Sequence, residues 1–161
     1  MLKTAKKSSI LHLKGPLSIS ALFALLLLFF TLISCHKKIM ATDKMPQNRL
    51  EFGHGGGFTG AITTYVLLEN GRIYEDLFQY KQYKEVKRID KSEAALFYTE
   101  CKKIMTLNTD AAGNMYYFVS MKTGNDSTSK RLLFGDPSVA TPAELESLYK
   151  RLAGLVAPKT Y

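Results

Sequence analysis

Among its 161 residues the chain has only two cysteines and three histidines. His12 stands in a basic leader and His36 just past the apolar run that follows, which leaves His54 alone in the part expected to fold. One histidine with scattered carboxylates gives no spacing such as H-E-x-x-H or paired cysteines, so neither a metal nor a cofactor is expected and no catalytic set is assigned. A reactive thiol needs a nearby base or a helix N-terminus to lower its pKa. Cys101, in "AALFYTECKKIM", has neither and is spaced from Phe97 as a small core residue. Internal repeats are missing too, and the length past residue 35 suits one domain.

Acids are absent from residues 1 to 34, where Lys3, Lys6, Lys7 and Lys14 precede the apolar run "ALFALLLLFF", Ala21 to Phe30. A basic segment ahead of an apolar one is the pattern of an export signal. The run leads to "LISC", Leu32 to Cys35, which resembles the lipobox of bacterial lipoproteins, whose cysteine is acylated and becomes the first residue of the mature chain. The expected organisation is a signal peptide over 1–34, a lipidated Cys35 with a flexible tether to 48, and one domain over 49–161. The alternative is an uncleaved membrane helix over Leu17 to Ser34, since a span needs about 17–25 apolar residues. Either way the leader lysines hold the N-terminus inside and place residue 36 onward outside the cytoplasm. That location argues against nucleic acid as a partner. Lys37 and Lys38, rather than an acidic run, follow Cys35 and His36, so an anchor in the periplasm-facing leaflet of the envelope is expected. Losing four lysines and no acid lowers the formal charge from +8 to +4, a mildly basic balance compatible with anionic headgroups or acidic polymers. With Cys35 acylated, Cys101 has no partner for a disulfide.

The remaining chain alternates strand and helix signals. "RLEF" and "AITTYVLL" read as strands, and Asn70-Gly71 marks a hairpin into "IYEDLF". A two-residue type I′ turn there pairs Leu68 with Ile73 and Leu67 with Tyr74. "YKEVKRI" is expected as a further strand, its charges lying on a solvated edge that resists aggregation. Glu75 and Asp76 point to opposite faces of their strand and are expected in solvent. "DKSEAALFYTECKKIMT" reads as a helix capped by Ser92 or Asp90, with a stripe of Ala94, Phe97, Cys101 and Ile104. "MYYFVSM" and "KRLLFGD" form a second hairpin. Thr141, Pro142 and Glu144 carry the signature of a capping box ahead of a helix with Leu145, Leu148, Leu152 and Leu155 on one face. The fold class is therefore α+β, an antiparallel sheet of five to six strands with two helices on one face, in the order strands, helix, two strands, helix.

"EFGHGGGFTG", Glu51 to Gly60, is the segment closest to a catalytic motif. Gly55, Gly57 and Gly60 match G-x-G-x-x-G, but a β-branched strand follows where the dinucleotide fingerprint requires a helix. "HGGG", His54 to Gly57, resembles the oxyanion segment of lipases and esterases, yet no G-x-S-x-G elbow accompanies it. The expected role is a bend between two strands, with Phe58 tucked into the core. The competing role is a rim of free backbone N–H groups, Gly53, His54, Gly55, Gly56, Gly57, Phe58, Thr59 and Gly60 with Tyr65, able to cradle an anion or a peptide carboxylate.

"FGHGGGFTGAITTYVLLENGRIY", "GNMYYFVSMK", a strand ending "FGD" and the closing "LYKRL" together are similar to a group of small lipoproteins of Bacteroidetes-type bacteria. The resemblance implies location and fold; it carries no activity and no functional residue beyond Cys35. The leading expectation is a non-catalytic envelope module, held to the membrane by its lipid, that binds a protein, peptide or glycan on the glycine rim beside Tyr65, Tyr116 and Tyr117. Two alternatives stand beside it. One is an enzyme using His54 as acid or base, and the other is a module that pairs the "YKEVKRI" edge with another chain.

Overall fold

A computed structural model describes residues 39–124 and 129–157. The leader, Cys35 and residues 36–38 lie outside the described residues. Seven strands form one antiparallel sheet: β1 (Ile39–Ala41), β2 (Arg49–Gly56), β3 (Ile62–Leu67), β4 (Arg72–Leu77), β5 (Gln82–Arg88), β6 (Met115–Lys122) and β7 (Lys130–Phe134). Their order across the sheet is β1-β5-β4-β3-β2-β6-β7, which puts β2 at its interior. Helix α1 (Lys91–Ile104) joins β5 to β6, and α2 (Ala143–Val156) closes the fold. The sheet has seven strands rather than the expected five to six, and two 3-10 turns, Thr42–Lys44 and Phe78–Tyr80, interrupt the first run of strands. The added strand comes from residues read as tether. Ile39–Ala41 pairs with Lys84–Gln82, and Met45 is buried against Val66, Leu68, Tyr74 and Tyr83. A segment without periodicity still folds here because it covers the edge of β5 and an apolar patch.

Both helices pack into one core. Ala94, Phe97, Cys101 and Ile104 of α1 meet Leu145, Leu148 and Leu152 of α2 over Leu50, Phe52, Leu67, Ile73, Val119 and Leu132. The helical stripes predicted from spacing are the buried ones, except that Leu155, at the end of α2, is only partly buried. Each fully buried leucine contributes about 1.5–3 kcal/mol. The Cys101 thiol is fully buried, and burial pushes its pKa up to about 12. In native protein Cys101 should therefore resist a thiol-reactive maleimide for hours and label within minutes in denaturant; rapid native labelling would mean that α1 does not sit on the sheet.

Two local expectations change. The first hairpin pairs Leu67 with Ile73 and Val66 with Tyr74, one residue out of the predicted register. The reason is the turn. Only Gly71 has positive φ, at 80°, and its N–H donates to the Leu68 carbonyl at 2.9 Å. That is a type I turn followed by a left-handed glycine, a three-residue loop rather than type I′. The shift puts Leu67 and Ile73 together on the helix side of the sheet. At α2 the cap position is Pro142, extended at ψ 130°, with no side-chain cap. Thr141 lies one residue too early for its hydroxyl to reach the first turn, so the capping box does not form.

Candidate functional site

β2 runs to Gly56 between β3 and β6, so its backbone groups belong to two ladders. Beyond it the N–H of Gly57 donates to the Asn114 carbonyl at 2.7 Å and that of Gly60 to the Gly57 carbonyl at 3.2 Å. These pairings place Gly53–Gly56 in the sheet ladders and give the Gly57 and Gly60 N–H groups partners within the chain, so a free N–H rim does not run the length of Gly53–Gly60. Phe58 is also misplaced by the sequence reading, because it stands fully in solvent at the tip of the β2–β3 connection, beside Thr59 and Gly60. A glycine-rich bend can be closed by its own hydrogen bonds and needs no core anchor. The residues once grouped with the rim separate onto two faces. His54, Tyr65 and Tyr117 lie on the helix side, where His54 borders a small cavity of about 190 Å³ with Phe52, Tyr65, Tyr149 and Val156. No carboxylate lines that cavity, so His54 gains no acid partner there.

The other face of the sheet holds the buried carboxylate of Glu51. Alternation sends Glu51, Gly53 and Gly55 away from the helices. Opposite them on β6 stand Ser120, Phe118 and Tyr116. The missing side chains at 53 and 55 leave the room that those rings occupy: a Cβ on Gly55 would sit 2.6 Å from the Tyr116 hydroxyl, and one on Gly53 would meet Phe118 Cζ at 2.9 Å and the Thr63 carbonyl oxygen. Arg131 of β7 lies over the Phe118 ring, 4.5 Å from its centroid. The glycines thus serve a close approach of aromatic rings across β2.

Glu51 is the unexpected residue. It is 5% exposed on a sheet face that no helix covers. Arg49 Nε donates to its Oε1 at 2.7 Å, and Lys122 Nζ approaches the same oxygen at 3.2 Å. Burial raises its pKa, but the Arg49 hydrogen bond and the Lys122 and Arg49 charges together outweigh burial and hold the carboxyl below its ordinary value. Asp76 behaves in the opposite way. Burial first and then the Glu51 charge raise it, against weaker opposition from Arg49, Tyr83 and Lys122. Asp76 is half-buried rather than free in solvent. Both carboxylates line an open cleft of about 720 Å³, with Thr64 and Tyr83 on its floor, Phe78 and Tyr80 at one wall, and Lys122 and Arg131 at the other. Ser120 Oγ, buried beside Glu51, has no hydrogen-bond partner.

The cleft sets carboxylates with perturbed, divergent pKa values beside two cations, a pattern concentrated at functional sites. Phe78 and Tyr80 are 86% and 69% exposed, held out by a turn that ends in Lys81 at φ 49°. Among the described residues, no group of three or more His, Cys, Asp or Glu is placed to hold a metal ion. No helix there is long and apolar enough to cross a membrane. One sequence signal could have found Glu51: an acid alternating with Leu50 and Phe52 in a strand bordered by Arg49. The partner Lys122 is invisible until β6 pairs with β2. Searches against protein-family models and against curated proteins give no match to this chain.

Proposed function

We propose that the chain is a lipid-anchored envelope module whose uncovered sheet face binds a short peptide carrying both charges. The anchor rests on the basic leader, the apolar run and "LISC" at Leu32–Cys35. The binding role rests on one observation, the open cleft with opposite charge on its two sides. Asp76 comes from β4, Lys122 and Arg131 come from β6 and β7, and Glu51 lies between them on β2. A neutral sugar has no use for such a bipolar lining, whereas a peptide with an acid and a base matches it. Exposed Phe78 and Tyr80 supply apolar contact area at low entropic cost.

Arrays of short peptides and of oligosaccharides, probed with the detergent-solubilised protein, test this reading. Peptides with both charges should bind. Asp76→Asn and Arg131→Gln should each weaken them about tenfold, the size of one lost charge-assisted hydrogen bond at roughly 1.5 kcal/mol. Binding to neutral glycans alone, or full affinity in both variants, would refute it.

A further inference from the structure

The cleft shares its aromatic wall with the edge of the sheet at which the described chain begins. Ile39, the first residue of β1, is 59% exposed and is paired in register with Lys84 of β5. The 3-10 turn after β1 is fastened to the turn before β5, since the Thr42 N–H donates to the Lys81 carbonyl at 3.2 Å. One continuous edge therefore presents Ile39, Phe78 and Tyr80 together with Lys44, Lys81 and Lys87, all of them exposed. The acids near it are in part covered or paired: Glu75 and Asp76 of β4 stand across from Lys84 and Tyr83 and are half-buried. Asp43 and Asp90 are exposed, and Glu85 is held between Arg72 and Arg88 at 3.7 and 3.3 Å.

Chain length fixes where this edge can go. Four residue steps separate Cys35 from Ile39, and a fully extended chain spans at most about 3.6 Å per residue, so the two lie within about 14 Å of each other. A lipid on Cys35 would leave the domain no freedom to float clear of the bilayer. Aromatic and aliphatic groups among lysines are the side chains that rest at a headgroup boundary, and lysines are drawn to anionic lipid.

We infer that the β1–β5 edge, with Phe78 and Tyr80 at its end, lies against an anionic bilayer surface, so that the cleft opens at headgroup level. The inference rests on the lipoprotein reading above. A ligand would then be met at the membrane rather than in bulk solution.

The chain has no tryptophan, so a single introduced one reports on its own position. Full-length protein isolated from membranes, carrying Phe78→Trp or, on the outer side of α1, Leu96→Trp, is reconstituted into phosphatidylethanolamine–phosphatidylglycerol vesicles containing brominated lipid. Intact mass spectrometry of the same samples reads the acyl chain on Cys35. The tryptophan at 78 should lose roughly half its fluorescence and shift to the blue, as expected for a ring about 5–10 Å into the boundary. The one at 96 should lose little. Lys44→Glu with Lys81→Glu, both exposed beside the Phe78–Tyr80 turn, should restore most of the signal at 78 while the acyl chain remains. An acylated protein with position 78 unquenched, or with 96 quenched instead, overturns the docked edge and leaves the lipoprotein reading standing. A protein with no acyl chain on Cys35 overturns both.

Discussion

Replacing Gly53 with alanine is expected to destabilise the domain by at least about 3 kcal/mol, the upper end of the usual cost of overpacking a core. The new methyl group would collide with the Thr63 carbonyl of the neighbouring strand and with the Phe118 ring. Neither can yield. The carbonyl belongs to the β2–β3 ladder, and Phe118 is fully buried beneath Arg131. Gly60→Ala is the control. Its φ of +61° strains an alanine, but nothing lies within 4 Å of the added carbon, so the cost should stay near the roughly 1–2 kcal/mol of a left-handed residue. Urea unfolding followed by circular dichroism separates the two. Equal midpoints for Gly53→Ala and wild type would show that the rings do not cross β2 as described.

Glu51→Ala is the second large effect. It strands Arg49, which is 12% exposed in its side chain, and Lys122, which is 32% exposed. Removing one partner from a buried ion pair costs about 3–5 kcal/mol. The low end applies here because Lys122 keeps contact with water. Glu51→Ala combined with Arg49→Leu and Lys122→Leu should recover most of that loss, since the penalty lies in the stranded charges. If the triple variant is no more stable than the single one, Glu51 acts by packing instead.

The pH dependence follows from opposite signs. The folded pKa of Glu51 is lowered, so its contribution is full above its unfolded value near 4.3 and is lost as the pH falls through the folded value. The folded pKa of Asp76 is raised, so ionised Asp76 opposes folding at neutral pH, and that opposition disappears as acid protonates it. Asp76→Asn should therefore raise the melting temperature near pH 7, with the gain fading in acid. On the proposed binding role, a cleft carboxylate that weakens its own fold is the trade expected of a functional group.

Spacing alone revealed the helical stripes, because a period near 3.6 leaves apolar residues such as Phe97, Cys101 and Leu148 no other way to be buried together. Asn70-Gly71 disclosed the hairpin but not its register, since the same dipeptide serves type I′ turns and the bulged three-residue loop alike. The glycines of Glu51–Gly60 were legible as special and illegible in purpose. Their neighbours, Tyr116 and Phe118, are more than sixty positions away in the chain. The site suffered most from this. Glu51, Asp76, Lys122 and Arg131 share no motif, and each is unremarkable within its own strand.

What the sequence determined by itself was local: two amphipathic helices, strands with alternating faces and hairpin positions. These depend on neighbours within a few residues, so the order of residue types contains them. The tertiary structure alone decided that residues 39–41 join the sheet while Met45 fills an apolar patch, and that β2 lies at the interior between β3 and β6. It also decided that a carboxylate is buried on the face left without helices. Those outcomes depend on which distant strands pair, and pairing is chosen by the combined burial and hydrogen bonding of the whole sheet, which no single segment carries.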